Sequence, residues 1–303
     1  MGMASASVLT FWDGSVSERR IPFGGSSMQH GTAVFEGIRC YLTQDGPALF
    51  RLEEHLTRLL RSAALLGMAH DYGIERLEAD VLAAAAASGL PRCYVRPALF
   101  TADPILSIDL SGTPFTLAVE VWPATSFRPP TAPPARLMIS TWRRPSPATF
   151  PPGAKATGMY VVSALARTEA AKAGYDDAIQ LDPESGRVAE ASVANVFLVR
   201  GGRLITPWLT DSLLPGITRD TVLVIARKIG MPTVEEPVEV RDLLTADEVF
   251  LTGTASELVP VASIGDHDLP ACRPVFDTLS RAFRQATTGL DFTGLGWLTP
   301  VRD

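Results

Sequence analysis

The residue in this chain whose type and setting suit covalent chemistry is a lysine. Lysine occurs only at positions 155, 172 and 228, whereas arginine is plentiful. Lys172 ends a helical pattern in Glu169-Ala170-Ala171-Lys172, and Lys228 lies in Ala226-Arg227-Lys228-Ile229-Gly230, where a cation suits the last turn of a helix. Lys155 has no such place. It stands in Pro151-Pro152-Gly153-Ala154-Lys155-Ala156-Thr157-Gly158-Met159-Tyr160, after a Pro-Gly turn and before an apolar run. A loop of this kind can hold an amine in a cleft, where burial and neighbours tune it for Schiff-base chemistry. The alternative is an ordinary solvated lysine.

Other side chains could serve such a site. Glu190 interrupts the apolar run Val188 to Val199. It is either an edge-strand carboxylate facing water or a buried one that needs a cation or hydrogen-bond donors beside it. In Tyr94-Val95-Arg96, strand alternation puts Tyr94 and Arg96 on one face, an arrangement suited to a pocket wall that holds an anion. Leu214-Pro215-Gly216-Ile217-Thr218-Arg219-Asp220 is a glycine turn feeding a helix start, where backbone N–H groups and the dipole suit a phosphate. Thr252-Gly253-Thr254-Ala255 ends a strand in a turn of small residues, a second place for backbone amides to meet an anion.

The elements that must position these residues follow from periodicity. Val8–Trp12 reads as a strand closed by a turn at Asp13-Gly14. Ile38–Thr43 reads as a strand returning through Ala48–Arg51. Leu52, Leu56, Leu59, Leu60, Ala63 and Leu66 predict an amphipathic helix ending at Gly67, with Arg58 and Arg61 on its more polar positions. A second helix spans Ile74–Ala87, and strands follow over Cys93–Phe100 and Phe115–Trp122. Arg128-Pro129-Pro130-Thr131-Ala132-Pro133-Pro134 then reads as a linker. The pattern predicts domains over 1–127 and 136–303, joined by 128–135, with Lys155 in the second. That half restarts with a strand over Leu137–Trp142 and a helix over Val161–Ala173. It continues through a strand over Ala178–Leu181, one long strand over Val188–Val199, and a last helix over Val275–Ala286.

At 303 residues the chain is long enough for two cores, and 46% hydrophobic residues describe a globular protein. A net charge of −6 without a basic run excludes nucleic acid as a main partner. Cys40, Cys93 and Cys272 are odd in number and lack CxxC spacing, so they read as reduced thiols rather than a disulfide framework or zinc site. No basic region precedes an apolar core at the start, and no apolar run could span a bilayer. The expectation is a cytoplasmic protein.

Taken together, the stretches resemble the branched-chain aminotransferase family, pyridoxal-phosphate enzymes of fold type IV. Five motifs carry the likeness in order: Val34-Phe35-Glu36-Gly37-Ile38-Arg39, Tyr94-Val95-Arg96-Pro97, Leu214 to Asp220, Thr252 to Ala255, and Gly296-Trp297-Leu298. The resemblance implies a mixed α+β fold: a small N-terminal α/β domain and a larger C-terminal domain with a mixed, barrel-like sheet. It implies a transaminase moving an amino group between an L-amino acid, branched or otherwise apolar, and a 2-oxo acid.

The family's roles then fall on residues of this chain. Lys155 matches the Schiff-base lysine that later moves the proton as base and acid. Tyr160 matches the tyrosine at the cofactor's phenolic oxygen, and Glu190 the carboxylate facing the pyridine nitrogen. Arg58 matches the phosphate arginine, helped by the amides of Ile217 and Thr218 and by Thr254. Asn195, Leu214, Gly216 and Gly253 complete the cofactor set. His30, Phe35, Arg39, Tyr94, Arg96, Trp122, Thr254 and Ala255 match the substrate side. A homodimer is implied, with residues Asp103 to Leu110 as the loop that completes the partner's site.

The departures lie on the substrate side. His30 and Thr125 stand where tyrosines are common, Met159 replaces an asparagine, and Val193-Ala194 replaces Gly-Glu. Two helpers of Arg96 are thereby lost, which leaves the amino donor open, and Val193 is expected to reshape the side-chain pocket. An aminodeoxychorismate lyase-type or D-amino-acid enzyme, a transaminase dedicated to an unusual biosynthetic substrate, and a non-catalytic binding protein of the same fold remain as other readings.

Overall fold

The computed structural model describes residues 8–12, 14–18, 23–124, 129, 131–209 and 212–302. Asp13, Thr125, Arg128 and Pro130, which the sequence places in a turn, a pocket and the linker, lie outside these residues. Backbone packing divides the chain into two compact units. One comprises Met1–Phe127, Ala154–Gly158 and Gln285–Asp303, and the other Arg128–Gly153 and Met159–Arg284. Two stretches expected in the C-terminal domain therefore pack with the first unit, and the cause is hydrogen bonding. Phe35 N–H donates to the carbonyl of Lys155 at 3.1 Å, and Thr157 N–H donates to that of Ala33 at 2.8 Å. The chain's last strand pairs with residues 48–50.

The first unit holds β1 (Leu9–Trp12), β2 (Ser15–Val16), α1 (Ser26–His30), β3 (Val34–Phe35), β4 (Ile38–Thr43), β5 (Gly46–Phe50), α2 (Leu52–Leu65), α3 (Ile74–Ala87), β6 (Cys93–Phe100), β7 (Thr116–Pro123) and the last strand of the chain, β17 (Leu298–Pro300). Among the described residues its eight strands form one antiparallel sheet in the order β17-β5-β4-β6-β7-β1-β2, with β3 beside β6. Helix α2 buries Leu52, Leu56, Leu59 and Ala63, as the spacing predicts, and Glu53 and Glu54 in its first turn suit the dipole. The same face also buries His55, Arg58 and Ser62, so Arg58 is not on a solvated stripe. Strand β5 ends at Phe50 rather than Arg51 because Arg51 takes a left-handed conformation (φ 56°). Its guanidinium covers the Trp297 ring and bonds Glu54 at 2.6 Å. Cys40 and Cys93, distant in sequence, lie directly opposite across β4 and β6 as free, buried thiols, while Cys272 is exposed.

The second unit holds β8 (Ala135–Ile139), α4 (Tyr160–Lys172), β9 (Asp177–Leu181), β10 (Val188–Ala191), β11 (Asn195–Arg200), β12 (Arg203–Pro207), α5 (Ile217–Lys228), β13 (Thr233–Glu236), α6 (Val240–Leu244), β14 (Glu248–Gly253), β15 (Glu257–Ile264), β16 (His267–Asp268) and α7 (Pro274–Thr287), whose last residues belong to the first unit. Its nine described strands form a mixed sheet in the order β10-β9-β8-β15-β14-β11-β12-β13, with β16 on β15. The pairs β8–β9 and β12–β13 are parallel, and each needs a crossover, which α4 and α5 supply. Val188 at one end of the order and Ile205 near the other share one apolar cluster with Leu137, Val196, Leu251 and Val261. The sheet therefore curls into a half barrel around a single interior. Phe197 and Phe250 stack in register with centroids 5.2 Å apart. Burial of a side chain of that size contributes about 2–3 kcal/mol.

The long strand expected over Val188–Val199 is two strands. Ser192, Val193 and Ala194 bend the chain, and Ala191 N–H closes the bend on Ala194 O at 2.7 Å. Burial of both arms conceals such a break, because neither shows the alternation of a half-exposed strand. The strand expected to reach Trp142 ends at Ile139, leaving Trp142 exposed. Among the described residues, no helix is long and apolar enough to cross a membrane.

Candidate active site

In the first unit the lysine turn is laid against residues 31–35. Gly158 N–H and the Thr157 hydroxyl both donate to Gly31 O, at 3.1 and 2.7 Å, and Val34 bridges Ala156. Gly31 itself is left-handed (φ 70°), and a Cβ there would come within 3.0 Å of Gly158 Cα, so the close approach requires glycine. Lys155 is held on both sides of its own Cα. Its N–H donates to Ser62 Oγ at 3.0 Å, and its carbonyl accepts from Phe35 N–H. Its Nζ lies 5.0 Å from the centroid of the Phe35 ring, and the Arg96 guanidinium lies 4.9 Å from the same ring.

Helix α2 carries more than Ser62. His55, Arg58 and Ser62 recur at helical spacing on its buried face, and Ser62 Oγ donates back to Arg58 O at 2.8 Å. Arg58 meets Glu36 through Nε–Oε1 at 2.6 Å and Nη2–Oε2 at 2.9 Å, while His55 Nδ1 lies 2.7 Å from Oε2. Burial opposes a charge on Glu36, but the Arg58 guanidinium and His55 outweigh it and hold the carboxyl well below the usual carboxylate range. Burial also pushes the His55 pKa down, against the pull of Glu36, and because a carboxylate can only accept, Nδ1–H is the donor to Glu36.

Strand register aligns the residues expected on the substrate side. Arg39 is opposite Tyr94 across β4 and β6, and Tyr94 is opposite Trp122 across β6 and β7, so the three share one face. Arg96, two residues on, joins that face as alternation predicts, with Nη2 3.4 Å from the Tyr94 hydroxyl. Tyr94 is buried against Gly37, where a Cβ would come within 1.8 Å of its hydroxyl. Trp122 Nε1 donates to Glu120 at 3.2 Å, and Arg39 covers the Tyr41 ring. His30 is exposed at the end of α1, its Nδ1 3.4 Å from Ser26 Oγ.

In the second unit Glu190 is buried rather than facing water, and it has the partners that burial demands. Arg144 Nη2 lies 2.9 Å from Oε1, Leu214 N–H donates to Oε1 at 3.3 Å, and Asn195 Nδ2 donates to Oε2 at 3.0 Å. Asn195 Nδ2 also donates to Leu214 O at 2.9 Å. A Cβ on Gly216 would come within 1.9 Å of Asn195 Oδ1, so glycine is required there. Gly216 caps α5 with no side-chain hydrogen bond, and Ile217 and Thr218 open its first turn. Asp182 accepts from Ser212 Oγ at 2.7 Å. Burial raises its proton affinity, and bonds from Ser185 and Ser212 bring the pKa below the ordinary aspartate value. Tyr160 starts α4, and Gly253, Thr254 and Ala255 form the turn leaving β14, all partly buried. Val193 is 58% exposed at the bend before Asn195.

Four residues around these sites escape a reading by motif: Glu36, His55, Ser62 and Arg144. The first three had a usable signal. Polar residues at 55, 58 and 62 interrupt the apolar face of α2, and Glu36 lies inside a motif already singled out. Arg144 had none, since Arg143-Arg144-Pro145 reads as an exposed turn.

Residues 33–264 match the family described as amino-transferase class IV. A branched-chain-amino-acid aminotransferase of Salmonella typhimurium is 35% identical, over 91% of this chain and 90% of its own length. The branched-chain aminotransferase of Thermoproteus uzoniensis, solved with norvaline, superposes with a TM-score of 0.92 at 36% identity, covering 97% of this chain and 99% of that one. The branched-chain amino acid aminotransferase of Thermobaculum terrenum, solved in its PLP-form, gives a TM-score of 0.88 at 32% identity, with 97% and 98% covered. The chain belongs to the class IV aminotransferase family.

Proposed function

We propose that this aminotransferase, a pyridoxal-phosphate enzyme, moves the amino group of an L-amino acid with a branched or otherwise apolar side chain to a 2-oxo acid. The observation that carries the reading is Lys155, a lone loop lysine whose flanking peptide groups are fixed by Ser62 and Phe35 while its amine stays over the Phe35 ring. The curated relatives named as branched-chain-amino-acid aminotransferases support the substrate class.

The residues fit the cofactor by their chemistry. Gly216 leaves room for Asn195 at the start of α5, whose first turn, without a side-chain cap, suits a phosphate. Arg58, held in place by Glu36, would offer a cation suited to a phosphate, and Thr254 a hydroxyl donor. With the cofactor bound, Glu190 would meet the ring nitrogen as a buried carboxylate, and Tyr160 the phenolic oxygen. When bound, the cofactor supplies an electron sink for the negative charge that develops at the substrate Cα. Lys155 Nζ would move the proton at the substrate Cα as general base and acid. Tyr94 and the Thr254-Ala255 turn would each offer donors to an α-carboxylate. Phe35 and Trp122 supply apolar walls, and Arg96 meets an acidic side chain when glutamate is the donor, with His30 at the pocket rim. The protein acts in the cytoplasm as a homodimer; the loop Asp103 to Leu110, which exposes Leu106 and Ile108, serves the partner's site.

Lys155→Ala tests the assignment directly. The expected result is loss of turnover together with loss of the visible absorption of the bound cofactor. An active, yellow variant would sink it. Single-turnover reaction of the holoenzyme with L-Leu, L-Ile, L-Val and L-Glu in turn tests the substrate class. Silence with all three branched-chain substrates would overturn that part.

A further inference from the structure

Arg144 has no part in the roles above, yet it joins two of them. It lies five residues after β8, with its main-chain N–H on Leu181 O at 3.0 Å. Its side chain is buried among second-unit residues: Nη2 meets Glu190 Oε1 at 2.9 Å, and Nε donates to Ser212 O at 3.0 Å. The guanidinium is a rigid plane, so placing one donor places the other. Asp182 holds Ser212 from its hydroxyl and its N–H. Two residues on, Leu214 returns to the same Glu190 oxygen through its N–H and to Asn195 through its carbonyl. One cation thus ties the buried carboxylate to the segment Ser212–Gly216 that opens α5.

We propose that Arg144 is a positioning residue for the cofactor, holding Glu190 as an anion opposite the ring nitrogen and fixing the segment from which α5 starts. The proposal rests on the reading that Glu190 meets the ring nitrogen and α5 the phosphate. A cation 2.9 Å from Oε1 opposes protonation of the carboxylate, so the proton shared with the ring stays on the nitrogen. With the cation gone, a buried carboxylate gains proton affinity and draws that proton toward itself. The contact to Ser212 O is separate from the charge. A lysine at this position is a point charge that can satisfy Glu190 or Ser212 O but lacks the fork that reaches both.

The experiment reconstitutes wild type, Arg144→Met, Arg144→Lys and Glu190→Gln with cofactor labelled by 15N at the ring. It reads the ring-nitrogen chemical shift and the cofactor dissociation constant of the apoenzyme. Arg144→Met should move the resonance toward the unprotonated-pyridine position and raise the dissociation constant about tenfold or more, as expected for stranded buried polar partners. Arg144→Lys should restore the resonance but not the affinity. A folded Arg144→Met protein with a wild-type resonance and a dissociation constant within about twofold of wild type overturns the proposal. If Arg144→Met does not fold, Arg144→Lys decides: weakened affinity with a native resonance supports it, and unchanged affinity refutes it. An unshifted resonance in Glu190→Gln would remove Glu190 from the ring nitrogen and refute the underlying reading. A shift there with none in Arg144→Met would refute only the part given to Arg144.

Discussion

Glu36→Gln isolates the energetics of the charge cluster beneath the lysine turn. The substitution keeps the shape of a side chain with no exposed surface and removes its charge. Arg58 then remains buried, and it cannot shed its proton. Removing one partner of a buried ion pair costs about 3–5 kcal/mol because the surviving charge is uncompensated. The glutamine oxygen can still accept from Arg58 Nε, which places the expected loss at about 3 kcal/mol, over a hundredfold in the unfolding equilibrium. Urea unfolding of the cofactor-free protein measures it. If a stranded cation is the cause, adding Arg58→Met should recover at least about 1 kcal/mol instead of costing more. A loss below about 1 kcal/mol in Glu36→Gln, or additive losses in the double variant, would refute the reasoning.

The same cluster sets an acid dependence. Despite the burial that raises it, the Glu36 pKa is lowered from 4.5 by Arg58 and His55, so its stabilisation is complete above that ordinary value and declines as pH falls below it. Glu36→Gln should lose this part of the acid sensitivity.

Three further outcomes are expected. Gly37→Ala places a methyl where the Tyr94 hydroxyl lies, so KM for the amino acid should rise about tenfold with cofactor affinity unchanged, at a stability cost of about 1–3 kcal/mol. Steady-state kinetics and a cofactor titration separate the two effects, and an unchanged KM would show that Tyr94 does not hold substrate. Gly216→Ala drives a methyl into Asn195 Oδ1 and should instead weaken cofactor retention, read by dialysis and absorbance. Retention equal to wild type would count against α5 as the phosphate site. The His55 pKa is depressed by burial, so the unfolded chain takes up the proton first and stability should fall as pH drops through 6.5, a decline that His55→Gln should remove from pH-dependent urea midpoints.

Much of the candidate site was legible because its residues are locally anomalous. A lysine without a helix, a carboxylate inside an apolar run, and a Tyr-x-Arg pair on a strand each conflict with the simplest packing of their own segment. Arg58 was legible only in part. Its helix was clear from the leucine spacing, but the pattern assigned it to a solvated stripe, and the reason for its burial is Glu36, which arrives on a different segment. The broken strand at Ser192–Ala194 was hidden because residues on both arms are buried.

Sequence alone pointed to most of the element types, to the lysine and the carboxylate as candidates, and to the family, since these depend on residue identity and short-range periodicity. Tertiary structure decided the partners. Arg144 reaches Glu190 across 46 positions of sequence (190 − 144), and Lys155 rests on Ser62 across 93. Such contacts follow from strand register and helix rotation, which place side chains to within a fraction of a turn. Local periodicity leaves that placement open. A buried charge is tolerated only where a partner has been brought to it, and only the folded chain shows which one came.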